Sequence, residues 1–144
     1  MWKFVHSVDC RATADFAWQY WTTVSNWAAV DPAIDSVTID GGFVAGARGE
    51  TVTSTKERVD WIVGEVMEGT TARIDFPASG AVLAAEWAFT PTRTGGCRVT
   101  QHLSLSGDRT QELLPMISAE MERGVPVGMT SLAAAIDAAF DSTE

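Results

Sequence analysis

The chain has 144 residues, of which 46% are hydrophobic and 20% charged, proportions typical of a soluble globular domain. Its 19 acidic and 10 basic residues give a net charge of −9 without any Lys or Arg cluster, so its surface repels nucleic acid and anionic lipid headgroups. No apolar run approaches the roughly 18 to 20 residues that a membrane span requires, and the alternation around Lys3 does not fit a signal peptide. We therefore expect one cytoplasmic domain with no nucleic-acid partner and no membrane span.

The first 30 residues predict one strand followed by two short helices. Residues 2–9 alternate bulky and smaller side chains, which indicates a strand with His6 on its bulky face. Apolar residues at helical spacing over residues 16–24 indicate an amphipathic helix with Thr13 as its N-cap. Residues 25–30 predict a second short helix, which stops because the residue before a proline avoids the helical region.

From residue 34 onward the apolar period changes to two, which is the period of a β-strand. The predicted strands are residues 34–40, 50–54, 57–67, 71–76, 82–90 and 97–106. The short loops between them are rich in glycine, as in Gly41-Gly42 and Gly95-Gly96, which is typical of tight turns. Loops this short force neighbouring strands to run antiparallel.

Residues 115–140 predict one long helix, because apolar side chains recur there at steps of three or four. No earlier segment is helical for long enough to pair with it, so its apolar face must cover the sheet. Two features indicate a cavity beneath it: Ser118 and Glu122 lie on or beside the apolar stripe, and Gly128 leaves a gap in it. Pro126 predicts a kink over residues 122–126.

The order of these elements resembles the SRPBCC superfamily, in particular its polyketide cyclase/dehydratase-like branch. The matching motifs are Ala17-Trp18, Asn26-Trp27 before Asp31-Pro32, Gly41-Gly42 before Gly46, and Trp87-Ala88-Phe89 before Gly95-Gly96-Cys97-Arg98-Val99-Thr100. The resemblance covers nearly the whole chain. It implies an α+β helix-grip fold, in which a curved seven-stranded antiparallel sheet wraps a long C-terminal helix around a hydrophobic cavity.

In such a fold the first and last strands pair, which places His6 opposite Gln101. The pair could be a polar site on an apolar face, or Gln101 could merely satisfy a core histidine. The same register places Cys10 opposite Cys97, so a disulfide is conceivable, although a cytoplasmic location favours two free thiols.

Candidate site residues follow from the predicted inward faces of strands and helix. If the protein catalyses a reaction, His6 and Glu122 are the candidate acid–base residues, and the alternative for Glu122 is a side chain that faces solvent with Glu120. The predicted ligand-binding residues are His6, Trp61, Trp87, Phe89, Gln101, Leu103, Ser118, Met121, Glu122 and Val125. The spacing of histidines, cysteines and carboxylates predicts no metal site, and no motif indicates a cofactor.

Two functions are compatible with these features. The first is binding of a hydrophobic small molecule, such as a lipid, polyketide or isoprenoid, in a cavity walled by some of the six tryptophans. The second is a cyclase or dehydratase in which one acid–base residue moves a proton and the cavity positions the substrate. A protein-docking role lacks support, because no exposed apolar stripe or basic face is indicated.

Overall fold

The computed structural model describes residues 2–78 and 80–143, which form a seven-stranded antiparallel sheet and three helices. The strands are β1 (Trp2–Cys10), β2 (Ile34–Ile39), β3 (Arg48–Thr53), β4 (Arg58–Met67), β5 (Thr71–Ala78), β6 (Ala81–Pro91) and β7 (Cys97–Ser106). The helices are α1 (Ala14–Thr22), α2 (Ser25–Val30) and α3 (Thr110–Asp141). The strand order β1-β7-β6-β5-β4-β3-β2 makes β1 and β2 the two edges. The predicted helix-grip fold is confirmed.

The β1–β7 register is the one that the sequence predicted. His6 pairs with Gln101, and Cys10 pairs with Cys97 at the end of the ladder. Alternate β1 side chains from Trp2 to Val8 are half-buried, while those between them are exposed, as a period of two requires. The prediction succeeded because a slip of one residue would turn this whole bulky face toward solvent.

Helix α3 begins at Thr110, five residues before the predicted start at Pro115. The prediction rested on the apolar spacing, and Pro115 itself lies inside the helix. Thr110 instead begins the helix, with its hydroxyl donating to the carbonyl of Gly107 at 2.7 Å. The helix also continues through Pro126, which lacks the N–H that would bond to the carbonyl of Glu122. The kink itself stays a prediction.

Cys10 and Cys97 are both buried free thiols. Burial, together with the negative charge of Asp137, raises the pKa of Cys10 to about 12, and burial raises the pKa of Cys97 to about 11. The thiolate is the reactive form, so at pH 8 Cys10 is almost entirely in the unreactive thiol form.

We expect neither thiol to be alkylated by iodoacetamide at pH 8 while the protein is folded, and both to be alkylated once urea unfolds it. Intact-mass measurement over a time course distinguishes the two cases. Rapid alkylation of the folded protein would show that this end of the β1–β7 ladder opens to solvent.

Asp137 of α3 fixes the corner between β1 and α1. Its Oδ1 accepts hydrogen bonds from the backbone N–H groups of Arg11 at 2.9 Å and Ala12 at 3.0 Å. The Arg11 guanidinium also forms a bidentate salt bridge with the Asp141 carboxylate, with N–O distances of 3.0 and 2.9 Å. That exposed pair adds little stability, whereas the two backbone groups would lose their acceptor without Asp137.

We expect Asp137→Ala to lower the free energy of unfolding by about 2 kcal/mol, because it removes the acceptor for two backbone N–H groups. Asp137→Asn retains one acceptor oxygen and should lose clearly less. Urea denaturation of both variants provides the comparison. Equal losses would mean that the charge of Asp137, rather than its backbone hydrogen bonds, stabilises the corner.

Candidate ligand-binding cavity

A cavity of about 680 Å³ lies between the concave face of the sheet, α2 with the loop that follows it, and the middle of α3. Pockets that enclose drug-sized molecules are typically about 300 to 1,000 Å³ and mostly apolar. Its wall consists of Trp21, Trp27, Val30, Asp31, Pro32, Ala33, Ile34, Ile74, Phe76, Trp87, Gln101, Glu120, Met121, Arg123, Gly124, Val125, Val127, Gly128, Met129, Ser131 and Leu132.

Three tryptophans form the aromatic end of the cavity. The ring centroids of Trp21 and Trp87 are 5.0 Å apart, and those of Trp21 and Trp27 are 5.9 Å apart. The indole N–H of Trp27 donates to the carbonyl of Trp21 at 2.7 Å, which fixes the orientation of that ring. Trp61, fully buried, packs behind Trp27 with a centroid distance of 5.1 Å. The aromatic wall is therefore held in place by the core.

Glycines leave room on the helical side of the cavity. Gly124 and Gly128 of α3 both belong to the wall, and a Cβ atom added to either would meet no heavy atom within 4 Å. Apolar side chains of Met121, Val125 and Met129 form the wall around them. The predicted gap at Gly128 is thus part of the cavity.

Charged residues of the wall lie near solvent rather than among the aromatic rings. Glu120 and Arg123 of α3 are exposed, and Asp31 opposite them in the α2–β2 loop is partly exposed. One oxygen of Asp31 accepts from the N–H of Ala33 at 2.9 Å, which shapes this loop. These charges form a polar rim around an apolar interior.

Gln101 is the polar residue that the sheet contributes to the wall. It lies on β7 between His6 of β1 and Trp87 of β6, in a single cross-strand row. The sheet residues that share the wall with it are Ile34, Ile74, Phe76 and Trp87. An amide among such neighbours is unusual, because burying a polar group without a partner is unfavourable.

A family model described as "Polyketide cyclase / dehydrase and lipid transport" matches residues 1–137. The chain belongs to this family. The sequence had suggested the same branch of the SRPBCC superfamily, so that prediction is confirmed. No significant match was found among curated protein sequences.

Solved structures with the same fold include an enzyme and an ARO/CYC protein. Norcoclaurine synthase from Thalictrum flavum, solved with dopamine and hydroxybenzaldehyde, has a TM-score of 0.73 at 12% identity, over 94% of this chain and 86% of that one. The di-domain ARO/CYC protein BexL has a TM-score of 0.77 at 14% identity, over 93% of this chain and 46% of that one. Identities this low establish the fold alone.

The protein TTHA0849 from Thermus thermophilus aligns over 95% of this chain and 98% of its own length, with a TM-score of 0.73 at 16% identity. Family and fold together support a ligand-binding or cyclase role for this family member. None of the helices in the described residues is long and apolar enough to cross a membrane. Over residues 2–78 and 80–143, no group of three or more His, Cys, Asp or Glu could hold a metal ion.

Some predicted site residues of this polyketide cyclase/dehydrase family member lie on the cavity wall, and others lie behind it. Those on the wall are Trp87, Gln101, Met121 and Val125. Trp61, Phe89 and Leu103 are at most 3% exposed and belong to the core, and the Trp61 indole N–H donates to Thr51 at 3.1 Å. His6 is half-buried beside Gln101 but is not part of the wall.

Glu122, predicted as a ligand-binding residue, is not among the residues of the cavity wall, and of its two alternatives the structure has the solvent-facing one. Its side chain is exposed, and one carboxylate oxygen accepts from the indole N–H of Trp2 at 3.2 Å. Ser118, its predicted support, is half-buried near the start of α3, with its hydroxyl 3.5 Å from the carbonyl of Pro115. Neighbouring helix residues point about 100° apart, so Met121 can face the cavity while Glu122 faces away.

The sequence interpretation missed the α2–β2 loop as part of the wall. Asp31, Pro32 and Ala33 lie there, and they have no periodic pattern from which burial could be inferred. Arg123 was missed because it lies on the polar side of the helical pattern. Met129 and Leu132 had a usable signal, since they continue the stripe of Met121 and Val125.

Proposed function

We propose that the protein binds a hydrophobic small molecule in the cavity between the sheet and α3. The observation that carries this proposal is the cavity of about 680 Å³ whose interior is lined by three tryptophans, Ile74, Phe76 and the apolar side chains of α3. Each Å² of apolar ligand surface removed from water contributes roughly 25 cal/mol, so a molecule of this size gains most of its affinity from burial. Lipids, polyketides and isoprenoids all have surfaces of this kind.

The rim supports a ligand that enters with a polar end toward solvent. Arg123, Glu120 and Asp31 provide both signs of charge where the cavity meets water. No ion pair involves Arg123 within the described part of the chain, so its guanidinium is available to an incoming polar group. The flat aromatic end favours a molecule with at least one planar portion.

A cyclase or dehydratase activity is the second candidate, and the family and the fold shared with BexL favour it. The wall offers a shaped surface that could fold a flexible substrate, which by itself contributes much of the catalysis in such reactions. His6 is the remaining predicted acid–base residue near the cavity, since it adjoins Gln101. Glu122 is not a candidate acid–base residue in this arrangement, because it is exposed and accepts a hydrogen bond from Trp2.

Native mass spectrometry of the purified protein, followed by denaturing extraction, tests the binding proposal. We expect a hydrophobic molecule to be retained at close to one per chain and to be released on unfolding. An empty protein whose tryptophan fluorescence ignores fatty acids, isoprenoids and aromatic polyketides would contradict the proposal. If turnover of a polyketide substrate is found, His6→Gln should abolish turnover but not binding, whereas Glu122→Gln should change neither.

A further inference from the structure

Two polar groups meet on the floor of the cavity. Gln101 of β7 and Trp87 of β6 are directly paired across the sheet, and both belong to the cavity wall. Paired residues in an antiparallel ladder have Cα atoms about 4.5 to 5.5 Å apart, with side chains on the same face. Their polar tips can therefore reach one atom of a bound molecule.

Neither group has a protein partner. Among the described residues, no hydrogen bond forms to the Gln101 amide or to the indole nitrogen of Trp87, although Trp27 and Trp61 both have acceptors for their N–H groups. Across the same residues no side-chain nitrogen or oxygen is sealed in the interior without a partner. The polar atoms of Gln101 and Trp87 are therefore not sealed in the interior, and both residues line the cavity.

The chemistry of the two groups defines what they can bind. An indole N–H only donates, and an amide offers two N–H donors beside its oxygen. A carbonyl oxygen has two lone pairs and can accept from both residues at once. A ligand without an acceptor would shield both groups from water and leave them unpaired, which disfavours its binding.

We propose that Gln101 and Trp87 form a hydrogen-bonding site that selects ligands carrying an acceptor oxygen, such as a ring carbonyl, at their buried end. This inference rests on the proposed function, because it assigns the polar contact of the same cavity. It narrows the ligand class to planar apolar molecules with a buried carbonyl or similar oxygen, and it disfavours plain hydrocarbons. Arg123 and the other rim charges then contact the opposite end of the ligand.

Binding of 9-fluorenone and fluorene provides the test, because the two three-ring molecules differ only in a carbonyl in place of a methylene. Each is titrated into the protein and followed by quenching of tryptophan fluorescence or by isothermal calorimetry. We expect fluorenone to bind about tenfold more tightly than fluorene, although fluorene leaves water more readily. Gln101→Leu, which keeps a similar shape, and Trp87→Phe, which keeps a smaller aromatic ring without the N–H, should each reduce that preference about threefold to tenfold.

His102→Leu is the matched control, because it makes a similar change at the next β7 residue, which is exposed. It should leave the preference unchanged. If fluorene binds more tightly than fluorenone, as its greater hydrophobicity alone would predict, and Gln101→Leu changes neither affinity, this inference is wrong. The proposed binding function would remain intact. If neither compound binds, and the purified protein carries no hydrophobic molecule, both the inference and the proposed function are wrong.

Discussion

Gly128→Leu is expected to weaken ligand binding strongly while the protein remains folded. The new side chain would occupy the cavity from the α3 side, where a Cβ atom meets nothing within 4 Å. The substitution also replaces a glycine in the helix interior, where glycine is roughly 1 kcal/mol less favourable than alanine. We therefore expect the affinity for any cavity ligand to fall at least about tenfold and the Tm to stay constant or rise by about 3 °C.

Fluorescence titration and thermal denaturation of the same sample measure both effects. Ala134→Leu is the matched control, because Ala134 is an exposed residue of α3 outside the cavity wall. It should change neither affinity nor fold. Undiminished binding by a folded Gly128→Leu protein would place the ligand elsewhere and would contradict the proposed function.

Gly49→Ala is expected to destabilise the protein strongly. Gly49 of β3 pairs with Trp61 of β4, and a Cβ atom at Gly49 would overlap the indole ring of Trp61. That ring is fully buried and packs against Trp27, so it has no free direction in which to move. Overpacking of a rigid core site costs about 3 kcal/mol, which corresponds to a Tm lower by about 10 °C.

Urea denaturation measures the loss, and Gly42→Ala provides the control, since a Cβ atom at Gly42 meets nothing within 4 Å. Trp61→Phe should partly rescue Gly49→Ala, because the smaller ring makes room for the methyl group. The double variant should then be more stable than the sum of the two single losses predicts. Strictly additive losses would show that the ring of Trp61 is not what excludes a side chain at Gly49.

The fold could be predicted from the sequence because two short-range signals agree with each other. The change of apolar period from two to about 3.6 separates seven strands from the C-terminal helix, and short glycine-rich loops allow only antiparallel neighbours. The fold implied by the family resemblance makes β1 and β7 neighbours, and their alternation agrees with the observed pairing of His6 with Gln101 and of Cys10 with Cys97. Each of these features is visible in a short stretch of sequence or on one face of a single strand.

The lining of the cavity was predicted less well, and Glu122 shows why. Helical spacing places a residue on an arc of the helix surface, but a residue on the edge of the apolar stripe can turn to either side. Glu122 is exposed, and its carboxylate accepts from the indole N–H of Trp2, 120 positions away in the sequence. The α2–β2 loop likewise reaches the cavity only through its position in space.

The sequence by itself determined which strand side chains share a face, because that depends on backbone period alone. It could not separate inward residues that touch the cavity from those that fill the core. Gln101 and Leu103 lie two residues apart on the same face of β7, yet Gln101 opens into the cavity and Leu103 is 3% exposed within the core. Only the tertiary structure decides between them, because the space above each residue depends on how closely α3 and α2 approach the sheet at that point.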